Sequence, residues 1–208
     1  MALLDAAGPD AFSMRRLAAE LGVTAMSLYW YVDSKDDLLE LALDAVQGEL
    51  PLPAPEDDWR SRLRALATAY RSVLVAHPWM AGLVGQYLNV GPNAMDFARA
   101  AQSVMTGAGL PPERLPGALG PVFHFAYGFS SIEANWNARC ASTGLSPDAF
   151  YQYVLGKVAG RPEYAESLQL RDAAGSGSVD AMREQDFDTA LTLLVAGIEA
   201  LRPAAPGT

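Results

Sequence analysis

Apolar residues recur at three- and four-residue intervals along almost the whole of this 208-residue chain. That spacing lines up one face of an α-helix, whereas a half-buried strand would alternate with period two. No convincing alternating run is present, so the sequence predicts an all-α protein. Leu3, Leu4 and Ala7 read as the last turns of a helix that stops at Gly8-Pro9. Ser13 is placed to cap a short helix carrying Leu17, Ala18 and Leu21, which Gly22 terminates. Thr24 is placed to cap a second short helix with Leu28, Tyr29 and Val32. Ser34 starts a longer one, with Asp36 and Asp37 in its first turn, where the helix dipole favours negative charge. Leu38, Leu39, Ala42, Leu43 and Val46 form its apolar stripe.

Three prolines between Pro51 and Pro55 divide the chain into a head, residues 1–50, and a body, residues 56–202. In the body, Trp59, Leu63, Leu66, Tyr70, Val73 and Leu74 share one helical face that His77-Pro78 ends. Shorter helices are expected near 79–88 and 93–107. A long apolar helix runs from about Glu113 to Arg139, kinked or restarted at Gly120-Pro121, with Gly128 permitting close helix approach. Residues 173–178 read as a flexible linker. Phe187, Ala190, Leu191, Leu194, Val195, Ile198 and Leu201 line one side of the last helix, and the tail from Pro203 is expected to fray.

Bulk properties narrow the function. The net charge is −9, and residues 1–50 carry three bases against nine acids, a balance of −6. Indiscriminate nucleic-acid binding needs a basic face that displaces counterions, so any DNA contact must be local and geometric. Between Ser13 and Lys35 the balance is +1. The single cysteine, Cys140, excludes an intramolecular disulfide framework and a multi-cysteine zinc site. With no secretory signal and no membrane-spanning run visible, a cytoplasmic protein is expected. Enzyme readings lack their motifs: there is no phosphate loop and no nucleophile elbow around Ser130. Neither His77 nor His124 has a ligand at metal spacing. No catalytic residue, cofactor or metal is expected.

Two short helices joined at Leu21-Gly22-Val23, with a third before them, form the arrangement of a helix-turn-helix. In such a unit the first helix of the pair braces across the phosphates and the second enters the major groove. Leu17, Leu21, Val23 and Leu28 are expected to bury the joint, and Trp30 is read as core. The residues Ser13-Met14-Arg15-Arg16-Leu17-Ala18-Ala19-Glu20-Leu21-Gly22-Val23, and then Ser27-Leu28-Tyr29-Trp30-Tyr31-Val32-Asp33-Ser34-Lys35-Asp36-Asp37-Leu38-Leu39, closely resemble the DNA-binding signature of the tetracycline-repressor (TetR/AcrR) family. The body is more loosely similar to the C-terminal domain of that family, chiefly around His77-Pro78-Trp79 and the helix through Gly128.

The resemblance implies a three-helix head with a truncated first helix, since the family has a fuller one, often behind a basic arm. A truncation or a misassigned start would each account for this departure, and the sequence leaves the native N-terminus open. It also implies that Arg15 reaches a base edge, for which Arg suits guanine. Ala25 and Met26 then face the bases, while Thr24, Ser27, Tyr29, Tyr31 and Lys35 touch DNA, mostly phosphate. With few base-reading groups, groove shape carries much of the specificity.

The long helix carries Phe123, His124, Tyr127, Glu133 and Trp136, and neighbouring helices carry Trp79, Tyr87 and Phe97. An apolar wall with a few polar groups suits a small lipophilic or aromatic effector; the bland alternative is that these residues fill a core or a dimer interface. Magnesium-assisted binding of the kind known in the family would have only His124 and Glu133 to draw on. The resemblance further implies a homodimer through helices near 115–139 and 184–201, reading a palindromic operator. The function expected is a ligand-responsive DNA-binding regulator, most simply a repressor released by a small molecule. The alternative is a small-molecule-binding helical protein of the same fold that has lost DNA binding.

Overall fold

The computed structural model describes residues 1–55, 57–175 and 177–202, the side chains of 172–174 apart. The tail from Pro203 lies outside the described residues, as does Ser176 within the expected linker. Among the described residues the chain forms helices and no strand. The head holds α1 (Ala2–Ala7), α2 (Met14–Leu21) and α3 (Ala25–Leu28), and α4 (Lys35–Gln47) leads out of it. The starts of α2, α3 and α4 are each made by a short polar side chain that accepts an otherwise free amide, whereas α1 has no side-chain cap. Ser13 Oγ accepts from Arg16 N at 3.3 Å, and Thr24 Oγ1 accepts from Ser27 N at 3.2 Å. Ser34 Oγ accepts from Asp37 N at 3.1 Å, while the Asp37 carboxylate accepts from Ser34 N at 3.0 Å, closing a capping box. Gly22 ends α2 at φ 67°, a left-handed conformation that glycine adopts without strain.

The body contains α5 (Trp59–Ala76), α6 (Pro78–Leu83), α7 (Pro92–Gly107), α8 (Leu115–Thr143), α9 (Pro147–Val158), α10 (Ala165–Ala174) and α11 (Val179–Ala200). Its core is the seam between α5 and α8. Leu63, Leu66 and Ala67 meet Val122 and Ala126, all fully buried. Val104 and Met105 of α7, Met80 of α6 and Leu191 of α11 close that core from the sides. Burying each such side chain contributes roughly 1.5–3 kcal/mol. Head and body share one apolar cluster, because Leu4 and Phe12 of the head, and Leu39, Leu43 and Val46 of α4, pack into it. Asp44 of α4 also caps α7, its Oδ1 accepting from Ala94 N at 2.9 Å. A Cβ on Gly91 would stand 2.2 Å from that carboxylate, so a side chain there would have to displace the Asp44 cap.

Several expectations need correction. The second short helix ends at Leu28 instead of running through Val32, and the chain turns outward at residues 29–31. Trp30, read as core, is therefore 85% exposed. Leu21 and Val23 are exposed too; the joint is filled instead by Met14, Ala18 and Val32. The long helix does not restart at Gly120-Pro121 but continues unbroken from Leu115 to Thr143 with Pro121 inside. Among the described residues nothing outside its own helix backbone lies within 4 Å of a Cβ built on Gly128, so no close helix approach depends on that glycine there. The linker expected over 173–178 overlaps the end of α10, which includes Ala173 and Ala174. Leu201 stands exposed beyond α11. The stretch between Thr143 and the linker carries α9 and α10, two helices that the apolar spacing does not declare.

Candidate functional site

The head presents one surface to solvent. On α3 and the turn after it, Met26 is 71% exposed and Tyr31 86% exposed, with Tyr29 half-exposed beside them. Arg15 at the start of α2 is exposed as well, as is Thr24, while Ser27 and Ala25 are partly covered. The Thr24 and Ser27 hydroxyls stand 2.8 Å apart and share a hydrogen bond. Arg16 is tied back to the head, donating to the Ala11 carbonyl at 3.5 Å. Lys35 departs from a freely solvated lysine: its Nζ donates to the Pro9 carbonyl at 2.8 Å, across 26 residues. That bond pins the α1–α2 connection against the start of α4, so Lys35 fixes head geometry whatever else it touches.

A junction joins this head to the body. Both ring nitrogens of His77 face carboxylates: Asp5 of α1 at 2.6 Å and Glu49, just past α4, at 3.0 Å. Trp79 Nε1 donates to the same Asp5 oxygen at 2.6 Å. Burial of the imidazole opposes its protonation, but the hydrogen bonds and charges of Asp5 and Glu49 outweigh it and raise the His77 pKa above 6.5. For Asp5, burial works upward, but the bonds from His77 and Trp79 prevail and lower it below 3.8. The raised His77 stabilises the fold fully below about pH 6.5, and that contribution is lost as pH rises through its folded pKa; the lowered Asp5 contributes above about 3.8. The junction is therefore tightest in mildly acidic solution. The melting temperature of wild type is expected to exceed that of His77→Gln by about a few °C at pH 6, with the gap closing towards pH 9; a gap that stays constant contradicts the ion pairs.

The aromatic residues of the body separate into two groups. Tyr70, Phe97 and Phe123 form a packed triad with ring centroids 5.2–5.8 Å apart. Burial there, with the nearby Tyr127, pushes the Tyr70 phenol up to about 12. Tyr127 Oη donates to the Ala81 carbonyl at 2.7 Å, and Tyr87 Oη donates to Asp36 of α4 at 3.0 Å. Trp79 belongs to the junction, and His124 is exposed on α8. Of the eight residues expected around an effector, only Glu133 and Trp136 border the cavity described next.

That cavity, of about 360 Å³, opens between the C-terminal half of α8 and the helices α9, α10 and α11. Phe129, Ile132, Trp136, Val179 and Met182 make its apolar wall, and Tyr151, Arg171, Arg183, Glu133 and Asp186 its polar groups. Trp136 Nε1 and Tyr151 Oη are buried and have no hydrogen-bond partner among the described residues. At one edge Arg71, only 7% exposed, bonds Glu133 through two atoms at 2.8 and 3.2 Å and Glu184 at 2.8 Å. Its guanidinium stacks on Phe129 and Phe187 at 5.1 and 4.8 Å. Arg183 approaches Glu133 at 3.7 Å. Glu133 is thus already engaged, and no group of three or more His, Cys, Asp or Glu that could hold a metal occurs among the described residues. Arg71, Tyr151 and Arg171 were not singled out from sequence. For Arg71 the available signal was a charge set among the apolar residues of α5.

Residues 1–42 match the profile described as bacterial regulatory proteins, tetR family, and residues 52–202 match the tetracyclin repressor-like C-terminal domain. An HTH-type transcriptional regulator of Saccharopolyspora erythraea is 34% identical over 205 residues, covering 95% of this chain and 80% of that protein. The HTH-type transcriptional repressor DrrR1 of Streptomyces coeruleorubidus is 30% identical, covering 96% and 74%. Among solved structures, the TetR family protein ActR of Streptomyces coelicolor in complex with actinorhodin superposes with a TM-score of 0.73 at 27% identity, covering 96% of this chain and 92% of that one.

Proposed function

The chain belongs to the tetracycline-repressor family of bacterial transcriptional regulators, and on that premise we propose that it is an operator-binding repressor released by a small molecule held in its body. The observation that carries the proposal is the solvent-facing α3 surface. Met26, Tyr29 and Tyr31 stand exposed next to Arg15 and Thr24, on a head whose shape is fixed by three caps and the Lys35–Pro9 bond. Exposed aromatic and apolar groups of this size are costly to leave in water unless something covers them. A groove with thymine methyls and phosphates covers both kinds. In this reading Arg15 reads a base edge, Ala25 and Met26 lie against bases, and Thr24, Ser27, Tyr29 and Tyr31 hold phosphate. The unit from residue 1 to 50 reads DNA and that from 56 to 202 binds effector and partner. The protein acts as a regulator and not through catalysis, inside the cell where its DNA lies. Among the described residues no helix is long and apolar enough to cross a membrane.

A palindrome requires two heads, and the outward faces of α8 and α11 supply the contact. Ile132 on α8 is 73% exposed and Leu193 on α11 is 70% exposed, beside the small Gly128 and Gly197. Paired with a second copy, the two helices make a four-helix interface. Burying an unpaired carboxylate there is prohibitive, so Leu193→Asp is expected to yield a folded monomer in sedimentation velocity. Operator affinity then falls by about 100-fold or more, because two-headed binding is lost. A Leu193→Asp protein that remains dimeric refutes this interface. Effector binding releases DNA by shifting the population towards a head spacing that no longer fits.

The reading is tested by titrating the purified protein against the duplex upstream of its own gene, with Tyr29→Ala and Tyr31→Ala alongside. Saturable binding that both substitutions weaken supports it, and binding to which both are indifferent overturns it.

A further inference from the structure

We propose that the cavity between α8, α9, α10 and α11 is a binding site for a planar aromatic acid, a deepening that rests on the repressor reading for its regulatory meaning but not for its chemistry. An indole N–H can only donate. Among the described residues, Trp136 Nε1 is buried without an acceptor, and the Tyr151 hydroxyl is buried without any partner. An unpaired buried donor is costly, and two of them on residues that line one cavity call for a ligand that brings an acceptor oxygen. Arg171 adds donors and a positive charge. Its guanidinium stacks on the Tyr151 ring at 4.6 Å, and its only hydrogen-bond contact among the described residues is the weak one to Met182 Sδ at 3.8 Å.

The remaining charges do not cancel this preference. Glu133 is consumed by Arg71 and Arg183, which leaves Asp186 as the carboxylate that opposes an anion. The wall opposite is ring and aliphatic surface, Phe129, Trp136, Val179 and Met182. Such a site fits a flat apolar skeleton, and the cavity of about 360 Å³ is large enough for fused rings. An aromatic amine would bring donors to donors. The position also gives the ligand leverage. It would sit between α8 and α11, the two helices that form the proposed dimer contact, next to the exposed Ile132.

The probe is 2-anthroate, titrated calorimetrically into the full chain, with 2-(aminomethyl)anthracene as its donor-bearing counterpart of the same outline. Saturable binding of one anthroate per chain is expected, at least about tenfold tighter than the amine. Trp136→Phe and Tyr151→Phe keep the rings and remove only the donors, so each should weaken anthroate by about five- to tenfold while melting within a few °C of wild type. Arg171→Gln should erase the preference over the amine. No saturable anthroate binding, equal affinity for the amine, or indifference of both phenylalanine variants overturns the site. Anthroate added to the protein–DNA complex separates the two readings. Release assigns the cavity to the effector. Binding in the expected order without release keeps the aromatic-acid site and overturns its regulatory role.

Discussion

Replacing Glu133 by Gln is expected to destabilise the protein by about 3–5 kcal/mol, because it strands a buried guanidinium. Arg71 is held between Phe129 and Phe187 with 7% of its side chain exposed, and Glu133, at 11%, is its buried counter-ion. Glu184 also contacts Arg71 but is 69% exposed, so water screens most of its charge. Arg183 loses its Glu133 contact in the same variant and keeps those to Asp180 and Asn137. Since a domain of this kind is stable by only about 5–15 kcal/mol in total, the loss should show as a large drop in urea midpoint with the slope unchanged. The double replacement Arg71→Met with Glu133→Leu removes both charges and should recover most of the loss, as apolar pairs of similar volume do. A Glu133→Gln protein with a wild-type midpoint contradicts the buried pair.

The second large effect is on DNA. Tyr31→Ala removes a hydroxyl and a ring from a position 86% exposed, where no intramolecular packing depends on it. Stability should stay within about 0.5 kcal/mol of wild type, as at other exposed positions. A hydrogen bond to a charged phosphate is worth about 1.5–3 kcal/mol, or roughly tenfold or more in affinity. Both heads of a dimer carry the substitution, so operator binding should fall by about 100-fold, nearly equally across operator sequences, since phosphate contacts position and do not specify. Met26→Ala, by contrast, should alter which sequences bind more than how tightly. Wild-type affinity for Tyr31→Ala would remove that residue from the interface.

What was legible in the sequence was local. Ser13, Thr24 and Ser34 declare helix starts because their oxygens act on amides three residues away, and Gly22 declares an end through its own φ. The α5 and α11 stripes were equally readable, since periodicity needs no knowledge of partners. Trp30 misled because a large aromatic in a helical pattern suggests burial, while α3 stops at Leu28 and leaves residue 30 on an outward turn. Helix α9 was missed although Ser146, Pro147 and Asp148 form a cap, a first-turn proline and a first-turn acid; its mixed apolar faces hid the period. The junction of Asp5, His77 and Glu49, and the pair of Arg71 and Glu133, join residues 28 to 72 positions apart. No spacing rule reaches across such distances. The same holds for the cavity, whose walls come from four helices and whose most telling feature is that Trp136 Nε1 and Tyr151 Oη lack partners among the described residues.

The most direct test of the central claim is the anisotropy of a labelled duplex from upstream of the gene, titrated with the dimeric protein at about 50 and 200 mM salt, a range over which phosphate contacts weaken binding steeply. The account predicts saturable binding of one dimer per palindrome, weakened by salt and by Tyr31→Ala, with unrelated duplex binding far more weakly. Equal, unsaturable binding to both duplexes, or none to either, contradicts it.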